Sequence, residues 1–534
     1  FVMYPGADEA VVIEDETCEV SKTSLTVPLL GTFEVDMDEQ SSKMKTRGDK
    51  LRRYLAAHFS KAIIGAVWMA INVILFIEHF ILYWNEPNFY VSFARGFGEV
   101  LNFNCSLILV PVLRNVITYL RQTFLYRFVP FDSNIMFHRR IAWTIAFAAY
   151  GHGISHYLNY STLDRPYASA WTTLAGITGN VLVFIMIIMY TTAIDAVRRR
   201  YFNVFYFAHH LFVVFFVLLL LHGKNFWIWW IIPGVCYILE RVYREYRAKK
   251  PTTVFQVTNH PSDVVELRMG KKGFKYTSGQ YLYLNAPYLS VYEWHPFTIT
   301  SAPHEEFVSV HIRAVGKWTK GIKKLLAPEE EGTLEINKQK GPDGKPLIRL
   351  DGPFGAASEE VFKFRTVMLV GAGIGVTPFA SIIKCLYHLK KTDSKCKIEK
   401  AYFFWICRDM TSFEWFQTLL RDLELDMKET GNTFLSINIY LTQRLKEEIR
   451  EEYKIQQEEM ELDPITRLEA RTKFGRPDFD TIFDELKEAH IGEKLGVFFC
   501  GPRILSKNLR TFCMTKSPKS KKNGAKFVFH KENF

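Results

Sequence analysis

The sequence predicts two architectures in one chain: an all-α membrane bundle of six helices, then a soluble module of a small β-barrel and a doubly wound α/β domain. Three observations predict it. Apolar residues gather between about residue 62 and residue 245 in blocks of about 20, the length that crosses a hydrocarbon core of about 30 Å. Residues 252–355 alternate in short strand-like runs separated by turn residues. From 365 onward apolar strand, glycine turn and helix repeat, the texture of a parallel sheet with helices on both faces. At 534 residues the chain has room for two or three domains. The boundaries fall at 1–60 for a cytosolic polar, acid-rich tail, 61–247 for the membrane domain, 250–358 for the barrel and 365–534 for the α/β domain. A charged stretch at about 444–461 reads as a solvated helical insertion into the last of these.

The six spans are expected near 61–83, 98–120, 138–158, 171–194, 203–222 and 227–245. Loops after the first, third and fifth hold almost no Lys or Arg beyond Arg95, Arg165 and Lys224. Loops after the second, fourth and sixth are basic: Arg114, Arg121, Arg139, Arg140, Arg198 to Arg200, Arg241, Arg244 and Arg247. Positive residues mark the cytoplasmic side, so both termini and the soluble half are expected there. The same placement accounts for the net charge of +11 and leaves no basic face for nucleic acid. Eight cysteines show neither a CxxC pair nor metal-ligand spacing, and reduced thiols are expected. No secretory signal precedes the first span, and no calcium loop of the DxDxDG type occurs in 1–60. Asn159-Tyr160-Ser161 is a glycosylation sequon, a pattern common by chance.

Ionisable residues inside a membrane are costly and mark function. The third span holds His138, His152 and His156, and the fifth holds His209, His210 and His222. His138 and His152 lie about 21 Å apart along a helix and about 40° from facing the same way. His209 and His222 lie about 20 Å apart, with a rotation of about 140° that requires the fifth span to be tilted, bulged, or to use different side-chain rotamers. Two helices so equipped clamp two haems stacked across the bilayer, each iron taking one imidazole from each helix. Single membrane histidines also serve as pore or capping residues. His58 and His79 show no partner and read as structural.

In the soluble half, His295-Pro296-Phe297-Thr298 follows a strand and suits a flavin ring. His311-Ile312-Arg313 on the next strand offers an arginine to a pyrophosphate, and Trp318-Thr319 opens a helix whose N-terminus favours phosphate. Gly371-Ala372-Gly373-Ile374-Gly375-Val376-Thr377-Pro378 joins a strand to a helix, where glycines let the backbone approach a pyrophosphate; it is not a GxGxxG fingerprint. Cys500-Gly501-Pro502 ends a later strand at the edge where α/β sheets bind ligands. Arg408 and Arg476 are candidates for the 2′-phosphate of NADPH, or ordinary surface arginines.

Taken in order, the two His-His spans, HPFT, GAGIGVTPF, CGP and the terminal Lys531-Glu532-Asn533-Phe534 resemble the catalytic subunit of the NADPH oxidases, the phagocyte type above all, from about residue 62 to the end. The resemblance implies a haem-binding six-helix bundle and a cytosolic ferredoxin-reductase-like module with FAD in the barrel and NADPH in the α/β domain. It implies that His138 and His209 hold the inner haem and His152 and His222 the outer one. Arg95 and His156 match the oxygen-reduction site, and Phe534 the terminal aromatic that stacks on flavin. The activity implied is transfer of electrons from cytosolic NADPH through FAD and two b-type haems to oxygen, giving superoxide, in a plasma or phagosome-like membrane. A ferric or cupric reductase of the same architecture is the alternative. Membrane lipid, oxygen and regulatory membrane or cytosolic subunits are the partners implied; basic clusters at 198–200 and 516–526 suit such contacts or simple solvation. The loop between the last two spans is shorter than in the phagocyte type.

Overall fold

Inside a bilayer a chain satisfies its backbone groups within its own helices, and the apolar half of this chain is helical throughout. The computed structural model describes residues 59–84, 88–163, 167–443, 445–518 and 520–532. Nearly all of the expected tail, His58 and Phe534 lie outside the described residues. The helices are α1 Phe59–Leu82, α2 Phe89–Leu107, α3 Arg114–Arg121, α4 Asn134–Ser161, α5 Ala168–Thr172, α6 Leu174–Ala193, α7 Asp195–Arg200, α8 Phe202–His209, α9 Phe212–His222 and α10 Phe226–Lys249. Among the described residues, α1, α6 and the run α8–α9 are long and apolar enough to cross a membrane, and α2 passes the same test only when counted with α3 as one bent pair. Helices α4 and α10 have the length, at 28 and 24 residues, but carry arginines at one end. Leu82, Phe147, Ile232 and Leu239 are exposed, as lipid-facing side chains are, while Trp68, Cys105, Ile141, Ile145, Phe216 and Phe226 form the bundle core.

The second span departs from the expected 98–120. Helix α2 starts earlier and ends at Leu107; after a tight turn at Val110–Val112 the chain bends by 70° into α3. Pro111 supplies no N–H to continue the ladder, and Leu113 leaves helical geometry at φ −77, ψ 81. Arg114 and Arg121 therefore lie along the soluble module instead of ending a span. The fifth span is broken, which is one of the ways its histidine spacing can be met. His210 and Leu211 sit between α8 and α9, their N–H groups donating to the carbonyls of Phe207 and Ala208, three residues back. Such a tight turn adds rotation that a regular helix lacks.

The module begins with β1 Thr253–His260, β2 Val264–Gly270, β3 Tyr281–Asn285, β4 His295–Thr298, β5 Val308–Arg313, α11 Lys317–Leu326, β6 Gly332–Lys338 and β7 Arg349–Phe354. These strands form two sheets, ordered β5-β2-β1-β6 and β4-β3-β7, closed over Val257, Leu267, Leu282, Ile312 and the apolar face of α11. The α/β domain follows as β8 Thr366–Ala372, α12 Thr377–Lys391, β9 Lys400–Cys407, α13 Glu414–Thr430, β10 Leu435–Leu441, α14 Glu447–Glu459, β11 Thr472–Phe474, α15 Phe479–Ala489, β12 Lys494–Cys500, α16 Arg503–Lys516 and β13 Lys526–Lys531. All its pairings are parallel, in the order β11-β10-β9-β8-β12-β13. Val367–Val370 are wholly buried, as a central parallel strand is. The chain runs outward from β8 to β11 and returns on the other side at β12, so the switch point lies between β8 and β12. Helix α14, in the charged insertion, buries no residue.

Bundle and barrel meet at a polar seam. Arg244 Nε donates to Asp351 Oδ2 at 2.7 Å, and Arg247 donates to Asp351 Oδ1 from Nε at 3.1 Å and Nη2 at 2.5 Å. Gly355 N–H donates to Thr118 Oγ1 at 3.0 Å. Arg121, 3% exposed, pairs with Asp132 and lies 3.8 Å from Glu359. The Arg114 guanidinium rests over the Tyr283 ring at 4.1 Å.

Candidate active site

The four ligand candidates form two facing pairs between α4 and the α8–α9 run. The rings of His138 and His209 are 6.4 Å apart, centre to centre, and those of His152 and His222 are 6.2 Å apart. Two imidazoles on one metal, each with a bond of about 2 Å and its ring centre about 1.1 Å beyond the nitrogen, stand about 6.2 Å apart. Both pairs match that spacing. In three of the four the outer nitrogen is held from behind. His138 Nδ1 donates to Ile108 O at 3.1 Å and His152 Nδ1 to Ala94 O at 2.8 Å, both acceptors on or just after α2. Thr178 Oγ1 lies 3.0 Å from His222 Nδ1. An occupied Nδ1 fixes the ring and leaves the Nε2 lone pair for metal. The residues fit two haems ligated on both faces.

His156, one turn beyond His152, meets it edge-on at 4.6 Å and stacks on Tyr160. Arg95, next to the carbonyl that holds His152, rests over Tyr83 at 4.9 Å. The structure thus brings Arg95 and His156 to the same pair. It also supplies a partner for His79, which the sequence pattern leaves without one: His79 Nε2 lies 3.6 Å from Glu99 Oε2. Glu99 accepts from Trp229 Nε1 at 3.0 Å and Asn102 Nδ2 at 2.9 Å. A glutamate inside a predicted span was the available signal. The sequon Asn159 sits in the last turn of α4 and accepts from Asn88 Nδ2 at 2.6 Å.

In the barrel, β4 carries His295-Pro296-Phe297-Thr298 against β3. The His295 ring stacks on Trp318 at 4.1 Å and Phe297 lies 6.1 Å from the same indole. Trp318 is buried in the core, so it supports the strand from behind. Thr319 caps its own helix: Gly316 N–H donates to Thr319 Oγ1 at 2.9 Å. Ile312 points into the core, whereas Arg313 is exposed at the end of β5. His311 Nδ1 lies 2.9 Å from Thr300 Oγ1, and its ring rests 4.4 Å from Trp415 of the α/β domain.

Along the carboxyl edge of the parallel sheet the remaining candidates converge. The loop Gly371–Val376 and the segment Cys500–Pro502 leave the neighbouring strands β8 and β12 and flank the switch point. A Cβ on Gly375 would meet Cys500 O at 2.4 Å, and Gly501, at φ +153, would bring one within 2.8 Å of Ala372. Glycine is required at both for the loops to touch. Trp405 Nε1 donates to Gly373 O at 3.2 Å, and Thr377 and Pro378 open α12. Arg408 after β9 and Arg476 after β11 are both exposed on this edge, with β10 between them. At the far side of the sheet, β13 leads toward Phe534. Its end is pinned by Glu532, whose carboxylate accepts from Ser358 N–H at 2.5 Å; burial pushes that carboxyl above its ordinary range.

Comparison with known proteins covers the same ground. Residues 95–220 match the ferric reductase like transmembrane component family, 249–358 an FAD-binding domain and 364–514 the ferric reductase NAD binding domain. A superoxide-generating NADPH oxidase heavy chain of Dictyostelium discoideum is 45% identical over 520 residues, covering 91% of this chain and 99% of the relative. NADPH oxidase 1 of Mus musculus is 34% identical over 576 residues, covering 90% and 95%. NADPH oxidase 3 of Homo sapiens is 33% identical over 564 residues, covering 88% and 98%.

Proposed function

The chain belongs to the NADPH oxidase family, and from that premise we propose how its residues divide the work. The protein is an integral membrane oxidoreductase that passes electrons from NADPH through FAD and two b-type haems to oxygen, producing superoxide. When bound, FAD takes a hydride from NADPH and the haems carry single electrons, chemistry that belongs to the cofactors. What the protein contributes is position and electrostatics.

His138 and His209 hold the inner haem, and His152 and His222 the outer one. The carrying observation is the pair of ring separations, 6.4 and 6.2 Å. The His138–His209 pair is the one nearer the module, because Tyr206, three residues before His209, donates to Tyr292 O at 3.3 Å. The basic seam at that end argues for a cytoplasmic module and cytoplasmic termini, with oxygen reduced on the far side. There Arg95 and His156 stand beside the outer pair and stabilise the negative charge that develops on oxygen. In the module, His295 to Thr298 shape the flavin pocket, the strand of His311 and Ile312 flanks it with Ile312 packed in the core, Trp318 and Thr319 stand behind it, and Phe534 stacks on the ring. Arg313 pairs with the pyrophosphate. Gly371, Gly373, Gly375, Thr377 and Pro378 cradle the NADPH phosphates, Cys500, Gly501 and Pro502 face the nicotinamide end, and Arg408 and Arg476 bind the 2′-phosphate. Arg199 and Arg200, both exposed, offer a surface to anionic lipid or to acidic regulatory proteins.

The test is haem content and turnover of the purified full chain with FAD. Each His→Leu change within one pair should remove one haem and leave the other, and all four should abolish dismutase-sensitive reduction of cytochrome c while NADPH still bleaches the flavin. Loss of both haems from every variant would refute the pairing. Dismutase-insensitive turnover with consumption of a ferric chelate would favour a metal reductase instead.

A further inference from the structure

On the barrel face that His311 turns toward Trp415, three adjacent strands each turn one metal-binding side chain onto the same sheet face. Glu266 on β2 sits directly across from His311 on β5 and from Thr258 on β1, and His260 is two residues beyond Thr258. With a period of two, all three side chains project from one face. Their ligand atoms lie within 4.8 Å of one another.

The contacts among them are those of a ligand set rather than of a hydrogen-bonded network. His260 Nε2 lies 3.7 Å from Glu266 Oε2, too far for a hydrogen bond, and that buried nitrogen has no hydrogen-bond partner among the described residues. Tetrahedral zinc with bonds of about 2.0–2.1 Å spaces neighbouring ligand atoms by about 3.3 Å, so this edge closes with a shift of a few tenths of an ångström. His311 Nδ1 is engaged by Thr300, the outer hydrogen bond typical of a metal-bound imidazole, which leaves Nε2 for the ion. The rings of His260 and His311 run nearly parallel, 5.7 Å apart. Arg268 now donates to both Glu266 oxygens, at 2.9 and 3.3 Å, but is 40% exposed and able to turn to water.

We propose that His260, Glu266 and His311 form a zinc site with two imidazoles, one carboxylate and a fourth position open to water. The site lies on the seam between barrel and α/β domain, where His311 packs on Trp415 and Ser262 Oγ contacts Thr411 Oγ1 at 2.5 Å. A bound ion ties three strands to that seam.

The experiment titrates zinc ion alone, against a chromophoric chelator, into the full chain carrying haem and FAD after metal removal. One equivalent should bind with micromolar or tighter affinity. His260→Ala and Glu266→Gln should each weaken it at least tenfold with haem and flavin content unchanged, whereas His388→Ala, at the separate stacked pair His304–His388, should leave it intact. Cobalt in place of zinc should give the visible bands of a four- or five-coordinate ion, which vanish in His260→Ala. The proposal is overturned by the absence of saturable binding, or by binding that survives His260→Ala or depends on His388. Should Glu266→Gln lose its cofactors, His260→Ala alone decides.

Discussion

Replacing Asp351 with alanine should disconnect the flavin from the haems without stopping NADPH from reducing the flavin. The carboxylate is 3% exposed and accepts three seam hydrogen bonds from Arg244 and Arg247, themselves 13% and 14% exposed. Removing one partner of a buried ion pair costs about 3–5 kcal/mol, because the charge left behind stays out of water. Here two guanidiniums are left, with Arg114 close by. At about 1.4 kcal/mol per tenfold, the seated arrangement of barrel against bundle loses roughly two to three and a half orders of magnitude in its equilibrium. Asp351→Asn keeps the shape and one acceptor but no charge, and should fall between the wild type and alanine. The assay is anaerobic stopped flow with NADPH, following flavin bleaching and haem reduction in the same shot. Flavin reduction should stay within about twofold of wild type while haem reduction slows at least tenfold, with a matching loss of superoxide. Haem reduction at the wild-type rate in both variants would refute the seam argument. A proportional fall in flavin reduction would place Asp351 in the flavin pocket instead.

Three further outcomes follow from individual contacts. A Cβ at Gly179 stands 3.0 Å from His222 Cε1, so Gly179→Val should displace that ring and change the spectrum and midpoint potential of one haem only; Gly65→Ala, with open space around it, is the control. Glu99→Ala strands the Trp229 and Asn102 donors inside the bundle and should cost about 1–3 kcal/mol, seen as earlier thermal loss of the haem spectrum, while Glu99→Gln retains an acceptor and most of the stability. His530, stacked on Phe498 at 4.5 Å, is held down to about 3 by burial and by the charges of Arg121 and Lys363. Its folded value lies below the unfolded 6.5, so the stability it permits is complete above pH 6.5 and is lost as pH falls toward 3, by up to about 1.4 kcal/mol per pH unit. His530→Phe should flatten the acid side of the melting profile by that one proton, and equal slopes would exclude the assignment.

What could be read from the sequence, and what could not, follows from the range of the interactions involved. The histidine pairs were legible because an imidazole in a bilayer is expensive, and two matched spacings on two spans are hard to produce except by two shared metal centres. Their one discrepancy, the rotation between His209 and His222, pointed to the break that the structure places at His210–Leu211. The end of the second span was not legible. A hydropathy window runs past Pro111 into Val116, Ile117 and Leu120, and only the packing of α3 on the barrel shows that those residues have left the membrane direction. Arg244 and Arg247 read locally as topology marks; their partner Asp351 lies more than 100 residues away, and nothing local announces it. Trp318 and Thr319 stand where the motif put them, but the indole packs under His295 and the hydroxyl caps its own helix, roles that need the third dimension to see.

The two haem sites are oriented differently despite their matched spacings, and the difference bears on how the potentials are set. Ala94 and Ile108, whose carbonyls hold His152 and His138, are fourteen residues apart on the α2 segment, as the two histidines are on α4. Antiparallel packing of α2 on α4 therefore orients one ligand of each pair by a single rigid contact. The opposite ligands share no such frame. His222 ends the continuous helix α9 and is braced by Thr178 of α6, whereas His209 ends α8, on the far side of the break at His210–Leu211. The pair nearer the flavin module thus stands beside a break in its helix, whereas the pair beside Arg95 and His156 has one ligand oriented from α2 and the other braced from α6.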